Sequence, residues 1–156
     1  MPIQTYNIYT GKGYAGELCD SAPRVTQTGL VEDATLAFGL ALKPGTKERH
    51  VVVGHTAGNV HSISMREYNH EAATRPSDGS VTYLQAESAS IMREGFLLVK
   101  VQARAAVAGQ KLNVVDATGE FTGGAAGAGE TQAINVVAVE SGLVGEVIKA
   151  RIDIVA

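Results

Sequence analysis

Val107–Thr122 reads VAGQKLNVVDATGEFT, and its alternation decides the fold class. In an extended chain Leu112 and Val114 point to one side, because successive side chains of a strand alternate between two faces. Gly109 opens the stretch at a turn. Asp116-Ala117-Thr118-Gly119 supplies a second, tight turn before Phe121 returns to the apolar layer. Asp116 is placed to accept hydrogen bonds from backbone amides two or three residues on, and Gly119 can take the positive φ that closes such turns. The stretch is a hairpin with its register built in, and it holds no reactive side chain.

The same period of two recurs outward from it. In Glu146–Ile154, EVIKARIDI, the residues Ile148, Ala150, Ile152 and Ile154 face a core while Lys149, Arg151 and Asp153 face away. Phe96–Ala103 places Leu97, Val99, Val101 and Ala103 inward. Ser88–Met92 precedes it across Arg93-Glu94-Gly95, so these two runs are expected to form a second hairpin. Ala34–Leu42 aligns Leu36, Phe38, Leu40 and Leu42 and stops at Lys43-Pro44-Gly45, a turn signal. His50–Val53, Val60–Met65 and Ile134–Glu140 complete the strands. No window carries an apolar stripe at helical spacing. The expectation is an all-β fold, a small β-barrel or jelly-roll-like sandwich with an extended N-terminal arm. The arm covers residues 1–23 and the body residues 24–156. Met65–Ala73 is polar and belongs to a long loop running to Ser80, a length typical of contact surfaces. Gly123–Gly129, GGAAGAG, reads as a flexible link.

Composition narrows the function. The chain of 156 residues has 18 Gly and no Trp, which favours turns and small-residue strands. A net charge of −3 with interspersed signs offers no basic stripe to displace counterions from nucleic acid. Cys19 stands alone, so no internal disulfide forms. The start, MPIQTYNIYTGKG, lacks the basic and apolar regions of a signal peptide, and no run is long enough for a membrane span. A soluble protein made in a cytoplasm is expected.

Each motif that could carry chemistry fails on its context. Gly11-Lys12-Gly13-Tyr14-Ala15-Gly16 matches G-x-G-x-x-G, but Glu17–Pro23 is too short and broken to be the helix that would hold a pyrophosphate. His50, His55, His61 and His70 lie in one third of the chain, yet His50 and His55 are an odd number of residues apart and a turn at Gly58-Asn59 precedes His61. Cys19 has no base supplied by its surroundings. Glu17, Glu32, Asp33, Glu94 and Glu120 form no distinctive carboxylate pair. No catalytic, cofactor-binding or metal site is expected. Tyr6, Tyr9 and Tyr14 cluster without interleaved basic residues, which suits protein contact better than stacking on single strands.

The order QTYN, GYAGELCDSAP, GNVHSISMREYNHE, SIMREGFLLVKV and AAVAGQKLNVVDATGEFT, with a short closing strand, resembles the head decoration or cement proteins of tailed bacteriophages. The resemblance spans most of the chain. It implies a homo-oligomer, dimeric or trimeric, bound to the outside of an expanded capsid and bracing adjacent major capsid subunits; the charge pattern and the lack of a long apolar run add the expectation of no nucleic acid or membrane partner. From exposure and place in the chain, the contacts expected with capsid or sister subunits are Ile3, Tyr6, Ile8, Tyr9 and Tyr14 in the arm, joined by Arg66, Tyr68 and His70 in the loop from Arg66 to Ser80, which departs from the family pattern. The rival expectation is a carbohydrate- or cell-surface-binding β-domain, against which the lack of Trp counts.

Overall fold

The computed structural model describes residues 13–19, 21–67 and 82–155. Their regular structure is all β. In chain order the strands are β1 (Val25–Val31), β2 (Thr35–Leu36), β3 (Ala41–Pro44), β4 (His50–Val53), β5 (Ser62–Ser64), β6 (Tyr83–Leu84), β7 (Ser88–Gln102), β8 (Lys111–Val115), β9 (Phe121–Thr122), β10 (Glu130–Ala138) and β11 (Val147–Ile152). The opening hairpin is β8–β9, with Asn113 opposite Thr122 and Val114 opposite Phe121. Leu112, Val114 and Phe121 are all buried, as the alternation requires.

The architecture depends on β7, a strand of 15 residues. The order β1-β4-β3-β5-β7 closes on itself through β1–β7, and β7-β11-β10-β8-β9 closes through β7–β9. The body is therefore two closed five-stranded barrels sharing one strand. Closure leaves few unpaired edges. The first half of β7 lies between β1 and β5, and the second half between β11 and β9.

This corrects the hairpin expected of Ser88–Met92 and Phe96–Ala103, which are consecutive parts of β7. Gly95, at φ 133°, lies where β7 passes from one barrel to the next, and a Cβ there would meet the Arg24 Cβ at 2.9 Å. Both halves find partners on both sides, so nothing drives the chain to turn back. Ala34–Leu42 also differs from the single strand expected. It divides into β2 and β3 around Gly39 at φ 74°, although Leu36, Phe38 and Leu42 are buried. Ile154, read as inward, lies past the end of β11 and is exposed. So is Ala103, past the end of β7.

The glycine-rich link is held in place. Asn113 Nδ2 donates to the Gly123 and Gly124 carbonyls (3.3 and 3.0 Å), Arg104 Nε donates to the Gly123 carbonyl (3.1 Å), and Gly127 N–H donates to Glu130 Oε2 (2.9 Å). Asp116 likewise bonds at long range, accepting from His55 Nε2 (2.7 Å) and Thr131 Oγ1 (2.9 Å).

The two barrels are one topology repeated. Strands β1, β3, β4, β5 and the first half of β7 play the parts that the second half of β7, β8, β9, β10 and β11 play next. Each barrel has a single parallel pairing, Val31 with Val51 and then Val101 with Phe121. The antiparallel registers correspond pair by pair. Pro44–Val51 becomes Val114–Phe121, Ala41–Ile63 becomes Lys111–Val137, and Ser64–Ile91 becomes Ala138–Ala150. The β2–β6 pair Leu36–Tyr83 shrinks to the bridge Ala106–Gly142. Connecting hydrogen bonds repeat as well: Gly39 N–H to Ser64 O (2.8 Å) and Gly109 N–H to Ala138 O (2.7 Å), then Met65 N–H to Ser90 O and Val139 N–H to Lys149 O (both 2.8 Å).

An apolar layer joins the barrels. The second barrel's core, built on Leu97, Val99, Leu112, Phe121, Ile148 and Ile152, continues into Ala41, Ile63, Met65 and Met92 of the first. Polar ties cross the same junction. Buried Asn135 accepts from Val60 N–H (3.0 Å) and donates to the carbonyls of Val60 and Asp153 (both 2.8 Å). Ala41 N–H donates to the Gly119 carbonyl (2.8 Å). Gly119 sits at φ 69°, with room for no more than hydrogen, since a Cβ would lie 2.7 Å from the Ala41 carbonyl oxygen.

Candidate interaction surface

The structure brings together two residues expected at contacts, Tyr14 and Arg66. Gly16 N–H donates to Leu98 O (2.7 Å), Leu98 N–H returns to Glu17 O (2.9 Å), and Leu18 bridges Leu97. The segment thereby fills the side of β7 between β5 and β9. Arg66 N–H donates to Gly16 O (2.9 Å), and its guanidinium lies 4.0 Å from the Tyr14 ring centroid with Nε 3.8 Å from Glu17 Oε1. Arg66 is buried and Tyr14 half-buried. Tyr14, Phe38, Arg66, Lys100 and Glu120 line a cleft of about 340 Å³ between the barrels. Ile3, Tyr6, Ile8, Tyr9, Tyr68 and His70 lie outside the described residues.

A turn that sequence reading did not isolate recurs around the molecule. Tyr14-Ala15-Gly16-Glu17, Leu84-Gln85-Ala86-Glu87, Val107-Ala108-Gly109-Gln110, Gly127-Ala128-Gly129-Glu130 and Leu143-Val144-Gly145-Glu146 each place the third residue at positive φ, between 67° and 86°. Each closes by a hydrogen bond from the fourth N–H to the first carbonyl, at 3.0 to 3.3 Å. This is the type II turn, which demands a residue tolerant of φ > 0 at its third position. Where the fourth residue is Glu, its carboxylate also accepts from the first N–H, at 3.0, 2.7, 2.9 and 2.8 Å in chain order. Repetition of AGE, AGQ and VGE was the available signal. Glycine-rich stretches otherwise read only as loops.

These turns lift apolar side chains into solvent. Leu84 is 55% exposed, Val107 60%, Leu143 67% and Val144 54%. The Ala106–Gly142 bridge buries those two residues, so its neighbours Ala105, Val107 and Leu143 share the opposite, outward face.

Titratable groups are used structurally. Hydrogen bonds from His55 and Thr131 hold the Asp116 carboxyl below its ordinary range. The Gly127 amide, together with Arg104, does the same for Glu130. The hydroxyl and amide of Thr46 lower Glu32. Burial, with Arg93 nearby, pushes the His61 imidazole down. His50 bonds the Glu48 carbonyl and His61 the Ser62 hydroxyl, and His55 Nδ1 accepts from Gly58 N–H (3.1 Å) while Nε2 faces Asp116. Among the described residues no three His, Cys, Asp or Glu side chains gather where an ion could sit.

The model of the structural cement protein family (E217 gp24/Pam3 gp6) matches residues 2–153. The chain belongs to this family. Its fold is also similar to that of a solved chain from the capsid of Myoviridae phage XM1, with a TM-score of 0.67 and 18% sequence identity over 98% of each chain. No curated protein matches the chain. Members of this family are structural proteins of phage.

Proposed function

We propose that this cement protein decorates the exterior of the expanded phage head and braces adjacent major capsid subunits without catalysing a reaction. Family membership over residues 2–153 carries the reading. The fold supports it, because closed barrels keep an abundant free protein from pairing edge to edge before it meets the capsid. In this reading residues 1–23 act as an arm, with Ile3, Tyr6, Ile8, Tyr9 and Tyr14 contacting capsid or sister subunits. The loop residues Tyr68 and His70 contribute beside them, and buried Arg66 acts by holding Tyr14 in place. Assembly as a homo-oligomer multiplies modest contacts into avidity.

The test is co-sedimentation with expanded, undecorated heads. Saturable binding at a fixed ratio to capsid subunits is expected. Folded protein that stays in the supernatant would overturn the reading and bring the carbohydrate-binding alternative forward, to be settled on a glycan array. Tyr6→Ala with Tyr9→Ala should weaken head binding at an unchanged melting temperature. A large fall in melting temperature would place these tyrosines in a core.

A further inference from the structure

We infer that the repeated barrel gives the protein two docking points at corresponding places in the repeat, Leu84 on the first barrel and Leu143 on the second, each for one copy of the major capsid protein. The inference rests on the cement reading and names the contact that would carry it. A single chain then spans two neighbouring capsid subunits, one per barrel.

Leu84 and Leu143 occupy the same place in the repeat. Each is the first residue of the type II turn that enters the last strand of its barrel, β7 or β11. The turns are anchored alike: Ala86 N–H donates to Val31 O (2.8 Å) and Val31 N–H to Glu87 O (3.0 Å), just as Gly145 N–H donates to Val101 O (2.7 Å) and Val101 N–H to Glu146 O (2.9 Å). Their own backbone N–H groups are capped by Glu87 and Glu146. Both leucines are thus held outward on a braced turn, and the nearest carboxylates are turned back onto the turn itself. A surface leucine alone carries no meaning. The same leucine at the same register in both repeats, each more than half exposed, is a paired feature.

The partner follows from symmetry. A capsid lattice presents one subunit surface over and over, so a chain that repeats its own surface can meet two copies through the same contact. The chemistry required on the partner is a shallow apolar pocket that admits a leucine. The two points are graded in strength. Val107 and Val144 widen the apolar area beside Leu143, whereas Thr35 and Gln85 flank Leu84.

The experiment titrates expanded, undecorated heads with the wild type, Leu84→Asp, Leu143→Asp and the double variant, reading half-saturation and the ratio at saturation. Leu143→Asp should raise half-saturation by roughly thirtyfold and Leu84→Asp by roughly tenfold, since desolvated apolar anchors dominate such contacts. The double variant should show no saturable binding. Melting temperatures should match the wild type, and a variant that melts lower is replaced by Leu→Ala at the same position. The wild type should saturate at no more than one chain per two capsid subunits. A single variant that binds like the wild type, or a higher ratio, overturns the inference. Failure of the wild type itself to bind is a different outcome, because it removes the cement reading.

Discussion

Tyr83 and Gly142 hold corresponding positions in two barrels of one topology, yet they differ more in volume than any other pair in the repeat. In the first barrel the end is plugged by large side chains: Leu36 and Tyr83 are fully buried, Phe38 meets Tyr83 edge to face at 5.2 Å, and the Tyr83 hydroxyl donates to Met65 O (2.8 Å). Its walls are correspondingly small, with Gly29 and Ala89 where the second barrel has Val99 and Ile148. In the second barrel Ala106 and Gly142 form the plug, and a Cβ at Gly142 would stand 2.3 Å from Ile148 Cγ2. One backbone frame thus accepts two opposite distributions of the same volume. What packing demands is that wall and plug together fill the space to crystalline density, and it leaves open which of them is large.

The comparison can be broken hardest at the plugs. Tyr83→Ala should cost about 3–5 kcal/mol by opening a cavity, whereas Gly142→Ala should cost about 1–3 kcal/mol by overpacking. Chemical denaturation measures both. Combining Gly142→Ala with Ile148→Ala should cost less than the sum of the single changes, and strict additivity would mean that Ile148 does not limit the plug. The junction comes next. Asn135→Ala leaves the Val60 N–H and C=O without their amide partner, at roughly 1–3 kcal/mol for each orphaned group. A neutral result in the same assay would mean that Asn135 does not tie the barrels.

A smaller effect sharpens the likeness of the turns. Ala86 and Gly145 hold the same left-handed position, at φ 67° and 86°. Ala86→Gly should stabilise by about 0.5–1 kcal/mol, and Gly145→Ala should destabilise by about 1 kcal/mol. Shifts of equal sign would show the turns to be unlike. The smallest effect is electrostatic. Asp116 and Glu130 are lowered in the folded state, so their contribution is complete above their unfolded pKa of about 4 and is lost as pH falls through the folded values. Melting temperatures of wild type and Asp116→Asn should therefore converge as pH is taken from about 6 to about 3. A constant gap would deny Asp116 its tie to His55 and Thr131.

Much of this was legible from local pattern. Alternation located β8, β9 and β11 with their inward residues, and Gly109 and Gly119 take the positive φ that their turns require. The repeat itself was hidden. Between residues 25–53 and 95–123 only Val31 with Val101, Gly39 with Gly109, and Leu42 with Leu112 are identical. Exchange of volume between wall and plug separates Gly29 from Val99 and Leu36 from Ala106. The hairpin expected at Gly95 failed for a related reason: a glycine that permits a turn also permits a strand to bend, and only the partners on each side decide between them. Of the expected contact residues Tyr14 and Arg66 meet, but across the chain, where no local pattern could pair them.

By itself the sequence determined the all-β class, the turn chemistry and the apolar face of most strands, because these depend on neighbours one to four residues apart. Tertiary structure alone decided that β7 serves two barrels, that β4 and β9 close them through parallel pairings, and that Leu84 and Leu143 are counterparts. Those outcomes rest on contacts between distant segments, where the gain from filling a shared volume selects among many arrangements that local preference leaves equally allowed.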